Sequence, residues 1–453
     1  MPLLRFESLQ LHEVGPFADL QIDFPPMASA NASAEIHLLT GPNGCGKSTL
    51  LYCLAEAFSP TGTVLGSIRS RFRAADSRVN FKIAGAAGAY GLYCEEPPPL
   101  QNAYGPYSLV TYEPADRQFS GLDSTGSDGQ TLLKYRQNLH AYEDSSARQL
   151  IKSPFGAFAY SGQRSIQRAS LGNIQPIQIS PFESSLSFET SVRPKLLVQW
   201  IANNRTQWAL AQTEGDEAGV RDQELALERI TNFIKQVCDL DFEFKLARSP
   251  LEVTVAVGGR ITPLECLSDG LKSILSWLGD LSLRLDCLTW EKPGDVFAQP
   301  IFLFLDEIDI HLHPKWQRLI LPAVQKLLPN AQVFVSTHSP FVVGSISDAW
   351  VYRLPEAGGS FAGKIEGIPS GAGKSYAAIL NEVFQVTEDF DPETEELIAG
   401  FYQARDSALN GGPVGALEVL GSQLAERGEE SRAIVHRELR QISRRLGKQV
   451  CID

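Results

Sequence analysis

Residues Gly41-Pro42-Asn43-Gly44-Cys45-Gly46-Lys47-Ser48-Thr49 constrain this chain more than any other stretch. They follow the apolar run Ile36-His37-Leu38-Leu39 and lead into Leu50-Leu51-Tyr52-Cys53-Leu54-Ala55, so they stand at a strand-to-helix turn. A phosphate-binding loop needs that context. Glycines let consecutive backbone N–H groups curl around phosphate oxygens, and the helix that follows aims its positive end at them. Asn43, Gly44, Cys45, Gly46, Lys47, Ser48 and Thr49 are therefore the expected nucleotide contacts. Lys47 would bridge the β- and γ-phosphates and Ser48 would hold Mg²⁺. The fold this demands is α/β, with a buried strand feeding the loop.

Ile301-Phe302-Leu303-Phe304-Leu305-Asp306-Glu307 has five apolar residues followed by two carboxylates. Taken alone it reads equally well as a buried strand running into an acidic surface loop. Beside a phosphate loop it reads as a central strand ending at an active site. Asp306 would then contact Mg²⁺ through water, and Glu307 would polarise the attacking water.

GPNGCGKST, LSDG (Leu267–Gly270), LDEIDIHLHP (Leu305–Pro314) and STHSP (Ser336–Pro340) together resemble the RecF/SMC-like branch of ABC ATPases. Among these the likeness is greatest to the Septu and retron-associated ATPases of bacterial anti-phage defence. It covers residues 1–190 and 240–355. The resemblance implies an ABC-type ATPase head: a central parallel sheet carrying the phosphate loop, an N-terminal antiparallel β-lobe, and ATP with Mg²⁺ sandwiched between two heads. Ser268 and Gly270 of one head would face the nucleotide held by the other. His338 would sense the γ-phosphate and act with Glu307 and Lys47 in hydrolysis to ADP and phosphate. The family also has a glutamine loop between the phosphate loop and the signature. Gln163, after the strand-like run Phe155–Phe158, is the candidate for nucleotide and Mg²⁺ contact; an ordinary turn is the competing reading.

The pattern along the chain predicts 1–190 as an N-terminal ATPase lobe, 191–240 as a short helical insertion, 241–365 as a C-terminal ATPase lobe, and 366–453 as a helical tail. Residues 2–25 alternate apolar and polar as two strands joined near Gly15-Pro16 would. Gly121–Gly129 reads as a mobile segment. Long-armed relatives extend a coiled coil from the region 192–237, but the apolar spacing breaks at Thr213–Gly219 and only a helical hairpin fits. Leu251–Val257 with Gly258-Gly259 reads as a hairpin leading to a helix over Lys272–Leu285. The tail shows helical spacing over Tyr376–Phe384, Thr394–Leu409, Gly415–Glu426 and Ser431–Leu446. It carries no second catalytic constellation, so an effector, a nuclease by resemblance, is expected on another polypeptide, with the tail reserved for dimer or partner contacts.

Pro369-Ser370-Gly371-Ala372-Gly373-Lys374-Ser375 imitates the phosphate loop, but its first glycine position is Ile368 and no buried strand precedes it. It reads as a turn capped into a helix. His311 and His313 lack a full metal ligand set and read as structural. The seven cysteines are scattered without C-x-x-C spacing, and no apolar run reaches membrane-spanning length, so a cytoplasmic protein with free thiols is expected. A net charge of −13 weighs against a chain that coats nucleic acid by itself. Two basic clusters, Arg69, Arg71, Arg73 and Arg78, and Arg437, Arg440, Arg444, Arg445 and Lys448, read as solvated helix or loop faces, with DNA contact by the first as the competing reading. The alternative function is a RecF-like repair ATPase acting directly on DNA.

Overall fold

A computed structural model gives the fold. It describes residues 5–27, 33–59, 68, 70–74, 77–83, 89–93, 110–113, 117–119, 135, 151–163, 171–178, 180–356, 358–370, 373–447 and 450. The segment Gly121–Gly129, Arg69 and Lys448 lie outside the described residues.

The strands of the first half are β1 (Phe6–Val14), β2 (Phe17–Asp23), β3 (Glu35–Thr40), β4 (Arg78–Ile83), β5 (Ala89–Tyr93), β6 (Val110–Glu113), β7 (Arg117–Phe119) and β8 (Gly156–Tyr160). Those of the second half are β9 (Phe242–Arg248), β10 (Leu251–Val257), β11 (Arg260–Pro263), β12 (Ile301–Leu305), β13 (Ala331–Ser336), β14 (Trp350–Arg353), β15 (Phe361–Ile365) and β16 (Ile368–Pro369). The helices are α1 (Lys47–Glu56), α2 (Pro194–Glu214), α3 (Glu217–Cys238), α4 (Asp269–Cys287) and α5 (Pro314–Leu327). They continue as α6 (Pro340–Val343), α7 (Tyr376–Ile379), α8 (Pro392–Leu409), α9 (Gly415–Glu426) and α10 (Glu429–Leu446).

Two large sheets make the head, beside a three-stranded antiparallel sheet β11-β10-β9. One runs β15-β2-β1-β4-β5-β6-β7 and is antiparallel apart from the β15–β2 pair. The other runs β16-β14-β3-β13-β12-β8, and every pair from β14 to β8 is parallel. β12 and β13 are buried at every position, as strands covered on both faces must be. The sheets meet through aromatic rings: Phe6 on β1 lies 5.7 Å from both Phe302 on β12 and Phe334 on β13, edge to face.

Local sequence sets the connections. Gly15-Pro16 closes the β1–β2 hairpin with Val14 opposite Phe17, and Gly258 and Gly259, at φ 54° and 81°, turn β10 into β11. The helical insertion is the two-helix hairpin α2–α3. Gly215 ends α2 at φ 74° and the Asp216 carboxylate caps α3 through the Gly219 N–H. The signature helix α4 starts at Asp269, earlier than the expected Lys272. Its buried Asp280 receives Arg284 Nε at 2.5 Å and the Tyr160 hydroxyl at 3.1 Å, which fastens the helix to the end of β8.

The chain divides into two compact units, Met1–Phe384 and Gln385–Asp453. The tail therefore begins later than the expected residue 366. β16 pairs with β14, Val351 opposite Ile368, and the Tyr376 ring packs 4.7 Å from Phe341, so this stretch belongs to the head. Helix α7 is also shorter than expected, because Leu380–Phe384 continues as a π turn. The second unit is α8, α9 and α10 around Phe401, Leu417, Leu424, Val435 and Leu439.

Candidate functional site

Parallel pairing lines up the C-terminal ends of β8, β12, β13 and β3 in consecutive order. Leu305 stands opposite Tyr160 and Val335, and Val335 opposite Leu38. Backbone bonds continue the row past the strands: Asp306 N–H to the Tyr160 carbonyl at 2.9 Å, and Thr337 N–H to the Leu39 carbonyl at 3.1 Å. Four neighbouring strand ends thus deliver Gln163, Asp306 with Glu307, His338, and the loop Gly41–Thr49. Ligands of open α/β sheets bind at such carboxyl ends.

The loop is held by its glycines. Gly41, Gly44 and Gly46 adopt φ of 146°, 77° and 102°. A Cβ on Gly46 would lie 2.5 Å from Phe17 Cζ, so close packing as well as backbone conformation demands glycine there. The Lys47 ammonium donates to the Gly41 and Pro42 carbonyls, each at 2.9 Å, and lies 3.6 Å from Cys45 Sγ. Asn43 and Gly44 are exposed, Ser48 is half-buried and Cys45 is buried. Thr49 differs from expectation in one respect: its hydroxyl accepts from Arg71 Nε at 3.2 Å, so its side chain faces the protein. Arg71 also lies over the Tyr52 ring at 4.5 Å, and Arg73 pairs with Glu13 at 2.9 Å. Two members of the first basic cluster are therefore engaged within the head.

Asp306 is buried and Glu307 half-buried. Glu307 takes φ 47°, unusual for a residue with a long side chain. The Ser336 hydroxyl touches both, 2.5 Å from Asp306 Oδ1 and 2.7 Å from Glu307 N. Gly162 lies against Glu307: a Cβ there would be 2.6 Å from Oε2. Gln163 is exposed beside it.

His338 follows β13 and is half-buried. Burial, with the nearby Lys47 charge, pushes its imidazole below the usual value, against the pull of Asp309, Glu307 and Asp306. Its backbone N–H donates to Asp309 Oδ2 at 3.4 Å, while Asp309 Oδ1 is buried without a hydrogen-bond partner. Gln317 spans the neighbouring loops, donating to the Leu312 carbonyl at 2.9 Å and accepting from Ser339 Oγ at 2.7 Å. Ser336, Asp309 and Gln317 are supporting residues that motif reading passed over. The only hint was polar side chains where two apolar strands end.

Ser268 precedes α4, is exposed and makes no capping bond. Gly270 is buried against the loop after β12, where a Cβ would meet the His311 carbonyl at 2.8 Å. His313 caps α5, its Nδ1 accepting the Lys315 N–H at 3.2 Å, which is a structural use for that histidine. Among the described residues no group of three His, Cys, Asp or Glu could hold a metal by itself. A hydroxyl (Ser48), a carboxylate (Asp306) and a glycine loop ending in lysine suit Mg²⁺ that shares its shell with a bound phosphate rather than a metal caged by protein.

Two segments of the chain match known families. Residues 8–160 match the family described as "AAA domain", and residues 185–344 match one described as an AAA domain with the further words "AbiEii toxin, Type IV TA system". The chain carries an AAA-type ATPase domain. Relatives of this ATPase domain include the "Retron Vc95 probable ATPase" of Vibrio cholerae, 35% identical over 144 residues, which are 32% of this chain and 27% of the relative. The "Retron Ec83 probable ATPase" of Escherichia coli is 37% identical over 24% of this chain and 20% of its own. A "Septu protein PtuA" of Bacillus thuringiensis is 24% identical over 38% of this chain and 44% of its own. The chain thus spans less than half the length of these relatives. Solved structures similar to it include an SMC head bound to the C-winged helix domain of ScpA, with TM-score 0.43 and 12% identity over 80% of this chain and 98% of that one. No helix among the described residues is long and apolar enough to cross a membrane.

Proposed function

We propose that this chain binds ATP with Mg²⁺ at Gly41–Thr49, hydrolyses it with Glu307, and controls a separately encoded effector in a cytoplasmic anti-phage system. The observation that supports the chemistry best is the row of strand ends that sets the phosphate loop, the carboxylate pair and His338 side by side. Retron- and Septu-named relatives support the biological reading.

Lys47 turns from the Gly41 and Pro42 carbonyls to the phosphates, exchanging neutral acceptors for charged ones. Ser48 and Asp306 would hold Mg²⁺, with Gln163 beside them, and the metal would supply neutralisation of phosphate charge. Glu307 accepts a proton from water as its oxygen attacks the γ-phosphorus; the bond to the β–γ bridging oxygen breaks, leaving ADP and phosphate. His338 stands just past the end of β13 to meet the γ-phosphate. The exposed Ser268 and the α4 N-terminus then contact nucleotide held by a second copy, so that ATP joins two heads and hydrolysis releases them.

A pull-down tests the biological half. Tagged Glu307→Gln protein, expressed with its native neighbouring genes in ATP and Mg²⁺, should bring down a nuclease- or toxin-like protein. Recovery of DNA and replication proteins without a dedicated partner would move the reading to repair.

A further inference from the structure

Ser336 ends β13 with no solvent exposure, and its one hydroxyl serves both acidic residues that follow the neighbouring strand β12. A hydroxyl has a single proton and two lone pairs. Glu307 N–H can only donate, so it occupies a lone pair at 2.7 Å, and the proton of Ser336 goes to Asp306 Oδ1 at 2.5 Å. The bond to Asp306 is charge-assisted and fixes the plane of that carboxylate. The bond from Glu307 satisfies an N–H that lies within a strained, left-handed backbone at φ 47°. On the other side, the missing side chain of Gly162 leaves the space that Glu307 fills, with a Cβ there only 2.7 Å from the Glu307 Cβ. Glu307 is thus held through its backbone by Ser336 and admitted by Gly162. Two residues along the same strand exit stands His338, so one clamp joins the ends of β12 and β13.

We infer that Ser336 is a positioning residue for hydrolysis: its hydroxyl orients Asp306 toward the metal and sets the backbone that aims Glu307 at the attacking water. This rests on the reading of Asp306 and Glu307 as metal holder and base. Ser336 is fully buried and acts through these two residues. Its effect therefore belongs in turnover and in metal geometry rather than in nucleotide capture.

The test uses the full chain with Ser336→Ala, Ser336→Cys and Ser336→Thr. Ser336→Ala should lower kcat about 10- to 100-fold, the scale of a mispositioned catalytic group, with KM for ATP within about threefold. Mn²⁺ in place of Mg²⁺ gives a readout apart from turnover: the electron paramagnetic resonance spectrum of Mn²⁺·ADP on the protein should change in Ser336→Ala. Ser336→Thr, which keeps the hydroxyl, should restore both signals at least in part, and Ser336→Cys gives a size-matched variant if alanine impairs folding. Wild-type kcat in a folded Ser336→Ala or Ser336→Cys protein would overturn the proposal. So would a kcat loss with an unchanged Mn²⁺ spectrum. Glu307→Gln, assayed alongside, separates the two levels: wild-type turnover there removes the base itself, whatever Ser336 does.

Discussion

The chain contains two loops written almost alike, Gly41–Thr49 and Pro369–Ser375, and the structure uses them in opposite ways. The first leaves a six-residue strand buried at five positions and enters a ten-residue helix. The second leaves a two-residue exposed strand and enters a four-residue helix. Lys47 is buried on the carbonyls of its own loop, whereas Lys374 is solvent-exposed and paired with Glu382. Ser48 lies inside its helix, while Ser375 spends its oxygen as an N-cap for the Ala378 N–H at 3.2 Å. Glycine, lysine and hydroxyl in order do not make a phosphate site. A buried parallel strand that holds the loop at the sheet's carboxyl edge does.

The contrast is sharpest in nucleotide affinity. Lys47→Ala should weaken ATP binding by about 10²- to 10³-fold, while Lys374→Ala should leave it unchanged. Titration with a fluorescent ATP analogue decides, and equal affinities in the two variants would break the comparison.

The anchoring of β3 predicts the next largest effect. Glu35 is half-buried, which would raise its pKa, but hydrogen bonds from His37 and Arg5 outweigh this and hold it at about 2, against an ordinary 4.5. Its stabilisation is complete above the unfolded value and lost as pH falls through that window, about 3 kcal/mol at full extent. Unfolding midpoints between those pH values should fall more steeply for the wild type than for Glu35→Gln; parallel curves would remove Glu35 from the account.

Gly46→Ala must move Phe17 and Pro16, whose atoms lie 2.5–2.7 Å from the new Cβ, and should cost about 2–4 kcal/mol from overpacking and strain together. Gly373→Ala meets nothing within 4 Å and carries only the strain of φ 82°, about 1 kcal/mol. Chemical denaturation of both variants measures the gap, and similar losses would contradict it. Ser375→Ala is the mildest change, a lost cap worth about 1 kcal/mol that leaves ATP turnover intact.

The same contrast explains what was legible in the sequence. Apolar runs such as Ile301–Leu305, and glycines at fixed spacing, encode strand ends and turns locally, so the loop, the carboxylate pair and the order of motifs could be read directly. Gly15-Pro16 and Gly258-Gly259 announced their hairpins for the same reason. What could not be read is pairing between distant segments. Ser336 acquires its partners 29 and 30 residues away, and Asp309 meets His338 only through a loop crossing. The tail boundary shifted because β16 pairs with β14, a contact that two residues with no periodicity cannot announce. Thr49 turned inward because Arg71, read as part of a solvated basic cluster, needed an acceptor.

The central claim is that ATP held by the first loop is hydrolysed by Glu307. A single-turnover assay of purified Glu307→Gln against wild type, with radiolabelled ATP and Mg²⁺, tests it directly. The account predicts that the variant binds ATP normally, retains it unhydrolysed in a paired species, and turns over at least ~10²-fold more slowly. Phosphate release at the wild-type rate would contradict it.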